Sequence, residues 1–238
     1  MSDSGEILEL FPMDDDQSPP NVIKYRETGT VPYQGLRALL GTVIKALPEI
    51  EPEQLQPASL DLRLGARAFR VSASFLPGPN STVMDKVKQL DGLPAIDLTT
   101  DGAVLERGAV YVIELCEHVR MTGDYFGVAN PKSSTGRLDV LTRLITDRGT
   151  AFDRVDRFYE GPLYIEVAPL TFSIVVRRGD RLNQLRVQRG TGAVAGSEIQ
   201  RLYESGQLVK IGGKLPAWWF GCWPGIVYLE GSGGGSVV

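Results

Sequence analysis

The chain has 238 residues, of which 42% are hydrophobic and 23% charged, with a formal net charge of −4. That length accommodates one large domain, or one domain with part of another, and the composition is that of an ordinary globular protein. The acidic balance gives no electrostatic reason for a nucleic-acid or anionic-membrane partner, and no apolar run of about 18 residues or signal-peptide pattern occurs.

The N-terminal residues 1–28 contain DDD and SPP and few apolar side chains after Phe11, so they read as a flexible extension. From Pro32 to Leu47 the apolar residues Leu36, Leu39, Leu40, Val43, Ile44 and Leu47 form a helical stripe behind a proline, which predicts a packing helix. In Pro57–Gly65, PASLDLRLG, leucines alternate with Asp61 and Arg63, predicting a strand with one wet face and an Asp61–Arg63 ion pair. Phe75 to Pro94 is turn-rich at both ends, with a short helix between. From Ala95 to Met121, and again over Tyr125–Ala129, Leu138–Ile145, Leu163–Ala168, Phe172–Val176 and Leu182–Val187, short apolar runs alternate with turns. Such spacing predicts a mainly β protein, a barrel or jelly roll with a few short helices. After Gly190 come a predicted short helix, Ser197–Leu208, and a glycine-rich stretch containing Trp218, Trp219 and Trp223. These tryptophans read as packing residues, with base stacking as the functional alternative.

The inventory of reactive side chains is short. Cys116 and Cys222 form no CxxC pair, and His118 is the one histidine. A zinc-dependent base deaminase needs a His/Cys ligand set that this inventory does not supply, so no zinc is expected. His118 lies in the mixed run ELCEHVRM and reads as a surface or half-buried strand residue.

The stretch from Asn130 to Glu166 is the most specific. Lys132-Ser133-Ser134-Thr135-Gly136-Arg137 gathers cations, hydroxyls and a glycine in a form suited to phosphate oxygens. Glu166 then sits in the apolar strand LYIEV, where a carboxylate must be paired, protonated or engaged in chemistry.

The order KSSTGR, DRVD, YEGPLYIEV and RRGDRLNQLRV, with PASLDLRLG upstream, resembles the deoxycytidine triphosphate deaminase and dUTPase superfamily. The resemblance spans residues 29–190 and favours the deaminase branch. It implies a distorted jelly-roll or β-barrel domain over those residues, with 191–238 opening a second lobe of a longer, two-lobed form. It implies an enzyme converting dCTP to dUTP and ammonia, with Glu166 as general base and acid. Ser133 would lie beside the reacting base, and Arg154 would steady water or the charged intermediate. Lys132, Ser134 and Arg137 would hold the triphosphate, and Asp156 would meet the sugar 3′-hydroxyl. Mg²⁺ would ride on the triphosphate, with no metal site of the protein's own. A cytoplasmic homotrimer with sites built across subunit boundaries is implied as well. Two departures stand out. Phe152-Asp153 precedes Arg154, and Arg157-Phe158 follows Asp156, where the family has a small residue with histidine and then Pro-Gly. Nothing after Gly190 resembles the family's closing segment. The alternatives are a dUTPase, in which Asp156 orients the attacking water, and a nucleotide-binding lobe without activity.

Overall fold

The computed structural model describes residues 28–90 and 94–190. The chain divides into two units, Met1–Gly190 and Thr191–Val238, and all described residues belong to the first. The expectations for the N-terminal extension up to residue 27, for the helix at Ser197–Leu208 and for the three tryptophans lie outside the described residues.

Strand β1 (Gly29–Thr30) leads into helix α1 (Tyr33–Leu39), which buries Leu36 and Leu39. The predicted helix ran on to Leu47, and the structure corrects this. Gly41, at φ 78°, turns the chain, and Ile44–Ala46 becomes strand β2. Val43 and Ile44 still reach the core, by way of the turn and strand rather than a helix face. After the short 3₁₀ turn Pro52–Gln54 come β3 (Leu60–Leu62), β4 (Leu64–Val71), helix α2 (Val83–Leu90), β5 (Ile96–Asp97), β6 (Ala103–Leu105) and β7 (Val110–Arg120). The remainder is β8 (Tyr125–Pro131), helix α3 (Ser133–Arg137), β9 (Val140–Thr146), β10 (Arg154–Val155), β11 (Glu160–Pro169), β12 (Ile174–Val176) and β13 (Asn183–Arg189).

These strands pair antiparallel in two main sheets, one ordered β1-β13-β8-β10 with β3 on β13, the other β5-β4-β7-β11-β9 with β2 on β7. A small β12-β6 ribbon completes the set among the described residues. The principal core lies between the sheets, with Leu60, Leu62, Leu185 and Val187 from one, and Ile113, Leu115, Leu144 and Ile165 from the other. The jelly-roll expectation describes this arrangement; the sheets stay open and do not close into a barrel.

Strand periodicity decides what the second sheet shows on its two faces. Leu163, Ile165 and Val167 of β11 point into the principal core, so Tyr164 and Glu166 point the other way. That outer face carries its own apolar layer of Phe69, Val71, Val112, Ile145 and Tyr164, covered by Val83 and Val87 of α2. The helix is pinned at its start, where the Asp147 carboxylate accepts the Val83 N–H at 2.7 Å and Thr82 Oγ1 accepts the Asp85 N–H at 3.1 Å. Glu166 therefore stands on a face that the fold has covered.

The region around β3 and β4 overturns a second expectation. Asp61 and Arg63 do not pair with each other, and the supposed wet face is buried, each residue being 2% exposed. Asp61 pairs instead with Lys132, and Arg63 with Glu117 at 2.9 Å and Glu51 at 3.4 Å. Neighbours two apart share one strand face, yet here the chain passes from β3 in one sheet to β4 in the other between them. Gly65 permits the close approach to β7, since a Cβ there would sit 2.5 Å from the Glu114 carbonyl oxygen. His118 is more buried than expected, at 6% exposure, and burial pushes its imidazole below the ordinary range.

Candidate active site

Glu166 is 1% exposed and lies mid-strand, opposite Val112 of β7 on one side and Arg143 of β9 on the other. Because antiparallel partners face the same side, this register places the guanidinium against the carboxylate. Arg143 Nε and Nη2 both donate to Glu166 Oε1, at 3.0 and 2.5 Å. The other oxygen, Oε2, is buried and accepts no hydrogen bond from the described residues. One carboxylate thus carries one saturated oxygen and one vacant acceptor. Leaving such an acceptor unpaired in a covered site is costly, which makes it a place where a ligand or water is wanted.

The loop after β9 shapes the surroundings. Asp153 adopts a left-handed conformation, φ 59°. Its N–H donates to the Leu144 carbonyl at 2.9 Å, while its carboxylate accepts the Leu144 N–H at 2.8 Å. Its own carbonyl accepts the Ala129 N–H at 2.8 Å, so this residue ties β9 to β8. With Asp153 fixed, Phe152 is set beside Arg143, whose Cζ lies 4.0 Å from the ring centroid. Burial pushes the Asp153 carboxyl upward; the Leu144 N–H and the Arg143 cation oppose that shift, and the negative charge of Glu166 adds to it. The two carboxyls are therefore within electrostatic reach of each other.

The predicted phosphate cluster occupies the β8–β9 connection. Ser133, Ser134, Gly136 and Arg137 are exposed on α3, while Thr135 is buried and its hydroxyl donates to the Leu182 carbonyl at 2.9 Å. That buried bond anchors the helix to the residue that leads into β13 and leaves the serines and Arg137 facing outward. Lys132, at its start, pairs with the buried Asp61. Arg154 and Asp156 are more than half exposed and pair with each other at 2.6 Å. No hydrogen bond or ion pair among the described residues links Glu166 to Ser133, Arg154 or Asp156.

A cavity of about 350 Å³ opens beyond β9, lined by Thr146, Asp147, Arg148, Asp156, Arg157 and Tyr159 among others. Of the predicted site residues only Asp156 borders it. Two of its lining groups are already committed: Arg157 donates to the Gly123 and Gly190 carbonyls at 2.6 and 2.5 Å, and the Tyr159 hydroxyl to the Pro162 carbonyl at 2.5 Å. Among the described residues no group of three or more His, Cys, Asp or Glu side chains is placed to hold a metal ion. None of the described helices is long and apolar enough to cross a membrane.

A family model described as the 2′-deoxycytidine 5′-triphosphate deaminase N-terminal domain matches residues 27–191. The chain belongs to this family. A dCTP deaminase of Halorubrum lacusprofundi is 26% identical over 144 residues, covering 60% of this chain and 67% of that protein. The crystal structure of a 2′-deoxycytidine 5′-triphosphate deaminase from Agrobacterium tumefaciens is 47% identical, with a TM-score of 0.69. It covers 75% of this chain, and this chain spans 53% of that one.

Arg143, Phe152 and Asp153 went unassigned in the sequence. The usable signal was a lone arginine in the apolar run VLTRLIT, matching the lone glutamate of LYIEV. Glu166 called for a partner without naming one, and only the β9–β11 register makes Arg143 that partner.

Proposed function

We propose that this deaminase-family chain hydrolyses dCTP to dUTP and ammonia, with Glu166 as the proton carrier. The observation that carries the reading is the half-satisfied carboxylate: Oε1 held by Arg143, Oε2 buried with no partner among the described residues. In the proposed step, Oε2 takes one proton from a water whose oxygen bonds to C4 of the cytosine ring. Glu166 passes that proton to N3 of the ring, then carries the second proton, from the new C4 hydroxyl, to the amino nitrogen; the C4=O bond forms as the C4–N bond breaks, and ammonia leaves. Water plus dCTP balances dUTP plus ammonia, so no redox partner is required.

We assign the exposed α3 residues Ser133 and Ser134, with Lys132 and Arg137, to the substrate. Ser133 lies beside the base, and the cations serve the triphosphate, which brings its own Mg²⁺. Arg154 steadies the developing charge, and Asp156 recognises the 3′-hydroxyl. On this reading, binding of substrate breaks the exposed Arg154–Asp156 pair, an interaction that costs little to lose. We further infer a trimer with the site shared between copies. An apolar surface supports this: Leu138, Leu141, Leu170 and Phe172 are exposed, and the Leu170 N–H donates to the Asp139 carbonyl, drawing the two segments together.

The deciding experiment incubates the protein with dCTP or dUTP and Mg²⁺, measuring ammonia and pyrophosphate separately. Ammonia and dUTP from dCTP are expected. Pyrophosphate from dUTP without ammonia from dCTP would replace the reading with a dUTPase, and no product from either would leave a lobe without activity.

A further inference from the structure

Arg143 is itself held from several sides. Beyond its two bonds to Glu166, Nη2 donates to Ser74 Oγ at 2.7 Å, and Cζ packs at 4.0 Å from the Phe152 ring centroid. Phe152 owes its place to the left-handed Asp153, which brackets Leu144 through both its backbone and its carboxylate. Of the two residues that depart from the family pattern before Arg154, Phe152 thus packs on Arg143 and Asp153 sets the loop that carries Phe152.

We propose that Arg143 is a positioning residue for the deamination. Braced by Ser74 and Phe152, it fixes Glu166 through one oxygen and leaves Oε2 as the face offered to the attacking water. The proposal rests on the role given to Glu166 above. Three physical points support it. The terminal torsion of a glutamate is broad and roughly two-fold, so an unheld carboxylate would not keep one oxygen aimed. A guanidinium fork fixes direction as well as charge, which a lysine ammonium does not. And the partner is only partly buried, 29% exposed against 1% for Glu166, so the pair sits at the edge of the covered face rather than deep within it.

The test follows dUTP formation from dCTP by chromatography, with melting temperatures, for the unsubstituted protein and for Arg143→Met, Arg143→Lys, Phe152→Leu and Glu166→Gln. Misplacing a reacting group by about 1 Å costs on the order of 100-fold, so Arg143→Met should lose about that much kcat with KM changed less than about threefold. Arg143→Lys, keeping charge but not the fork, should recover part of the loss, and Phe152→Leu should lose less than either. A merely structural arginine would lower the melting temperature and leave kcat per folded molecule unchanged. Undiminished kcat in Arg143→Met, or a loss confined to KM, overturns the proposal. Should Arg143→Met not fold, Arg143→Lys and Phe152→Leu decide: a graded fall in kcat supports it, and unchanged kcat in both overturns it. The two readings fail differently. No dUTP from the unsubstituted protein defeats the deaminase reading and this one with it. An active protein with a dead Glu166→Gln and a fully active Arg143→Met defeats only the positioning role.

Discussion

Two carboxylates on adjacent strands, Glu117 of β7 and Glu166 of β11, are closed off from solvent, and each is bound to an arginine. Their hydrogen-bond accounts differ. Glu117 Oε1 accepts from Gln54 Nε2 at 2.8 Å and Arg63 Nε at 2.9 Å, while Oε2 accepts the Arg63 backbone N–H at 2.8 Å. Arg63 also reaches the Pro48 carbonyl at 2.7 Å and is 2% exposed. Every oxygen is used and the arginine is sealed in. Glu166 Oε2 has no partner among the described residues, and its arginine is partly exposed. A buried carboxylate that is fully partnered locks the fold; one left half-partnered keeps an acceptor that a ligand or water can use.

The largest expected effect lies on the open side. Glu166→Gln should lower dCTP turnover by about 10²- to 10⁴-fold, the range for removing a general base, with little change in melting temperature. A large stability loss with activity retained would reverse the roles assigned to the two acids. On the closed side, Glu117→Gln strips Arg63 of its buried anion, leaving only the half-exposed Glu51, and should cost about 3–5 kcal/mol in denaturant unfolding, turnover per folded molecule being unchanged. Gln54→Ala, which removes one donor to Glu117 and one to the Asp61 carbonyl, should cost about 1–3 kcal/mol by the same measurement.

The smallest expected effect is a pH dependence on the closed side. Burial holds the folded His118 imidazole below its ordinary 6.5. The folded chain therefore binds fewer protons than the unfolded chain, and this contribution is present above pH 6.5 and lost as pH falls below it toward the lower folded value. His118→Gln should flatten that part of the stability–pH curve; identical slopes for both proteins would contradict the burial effect.

Much of this was legible in the chain, and the failures have a common cause. The alternation of short apolar runs with turns marked β7, β8, β9, β11, β12 and β13, because each strand's period is local, and left out the two-residue β10. Glu166 stood out because an acid inside an apolar run must be satisfied. Its partner did not, because the Arg143–Glu166 contact depends on a register between strands 23 residues apart. The same holds for Arg63, whose partner Glu117 lies 54 residues on. Local alternation made Asp61 and Arg63 look like solvent neighbours, whereas a change of sheet between them sends each to a distant ion. The helical stripe at Leu36–Leu47 named Leu36, Leu39, Val43 and Ile44 correctly as buried, but Leu47 is 50% exposed, and the element held only in part, since Gly41 allows a turn that the apolar period does not register.

The most direct test of the Glu166 assignment is a crystal structure of Glu166→Gln with dCTP and Mg²⁺. The side chain at 166 and the Ser133 hydroxyl, from one copy or from neighbouring copies, should flank the cytosine. The freed side of residue 166 should lie about 3 Å from a water at C4 or from the ring itself. A cytosine lying more than about 6 Å from residue 166 in every copy, beyond the reach of one bridging water, would contradict the account.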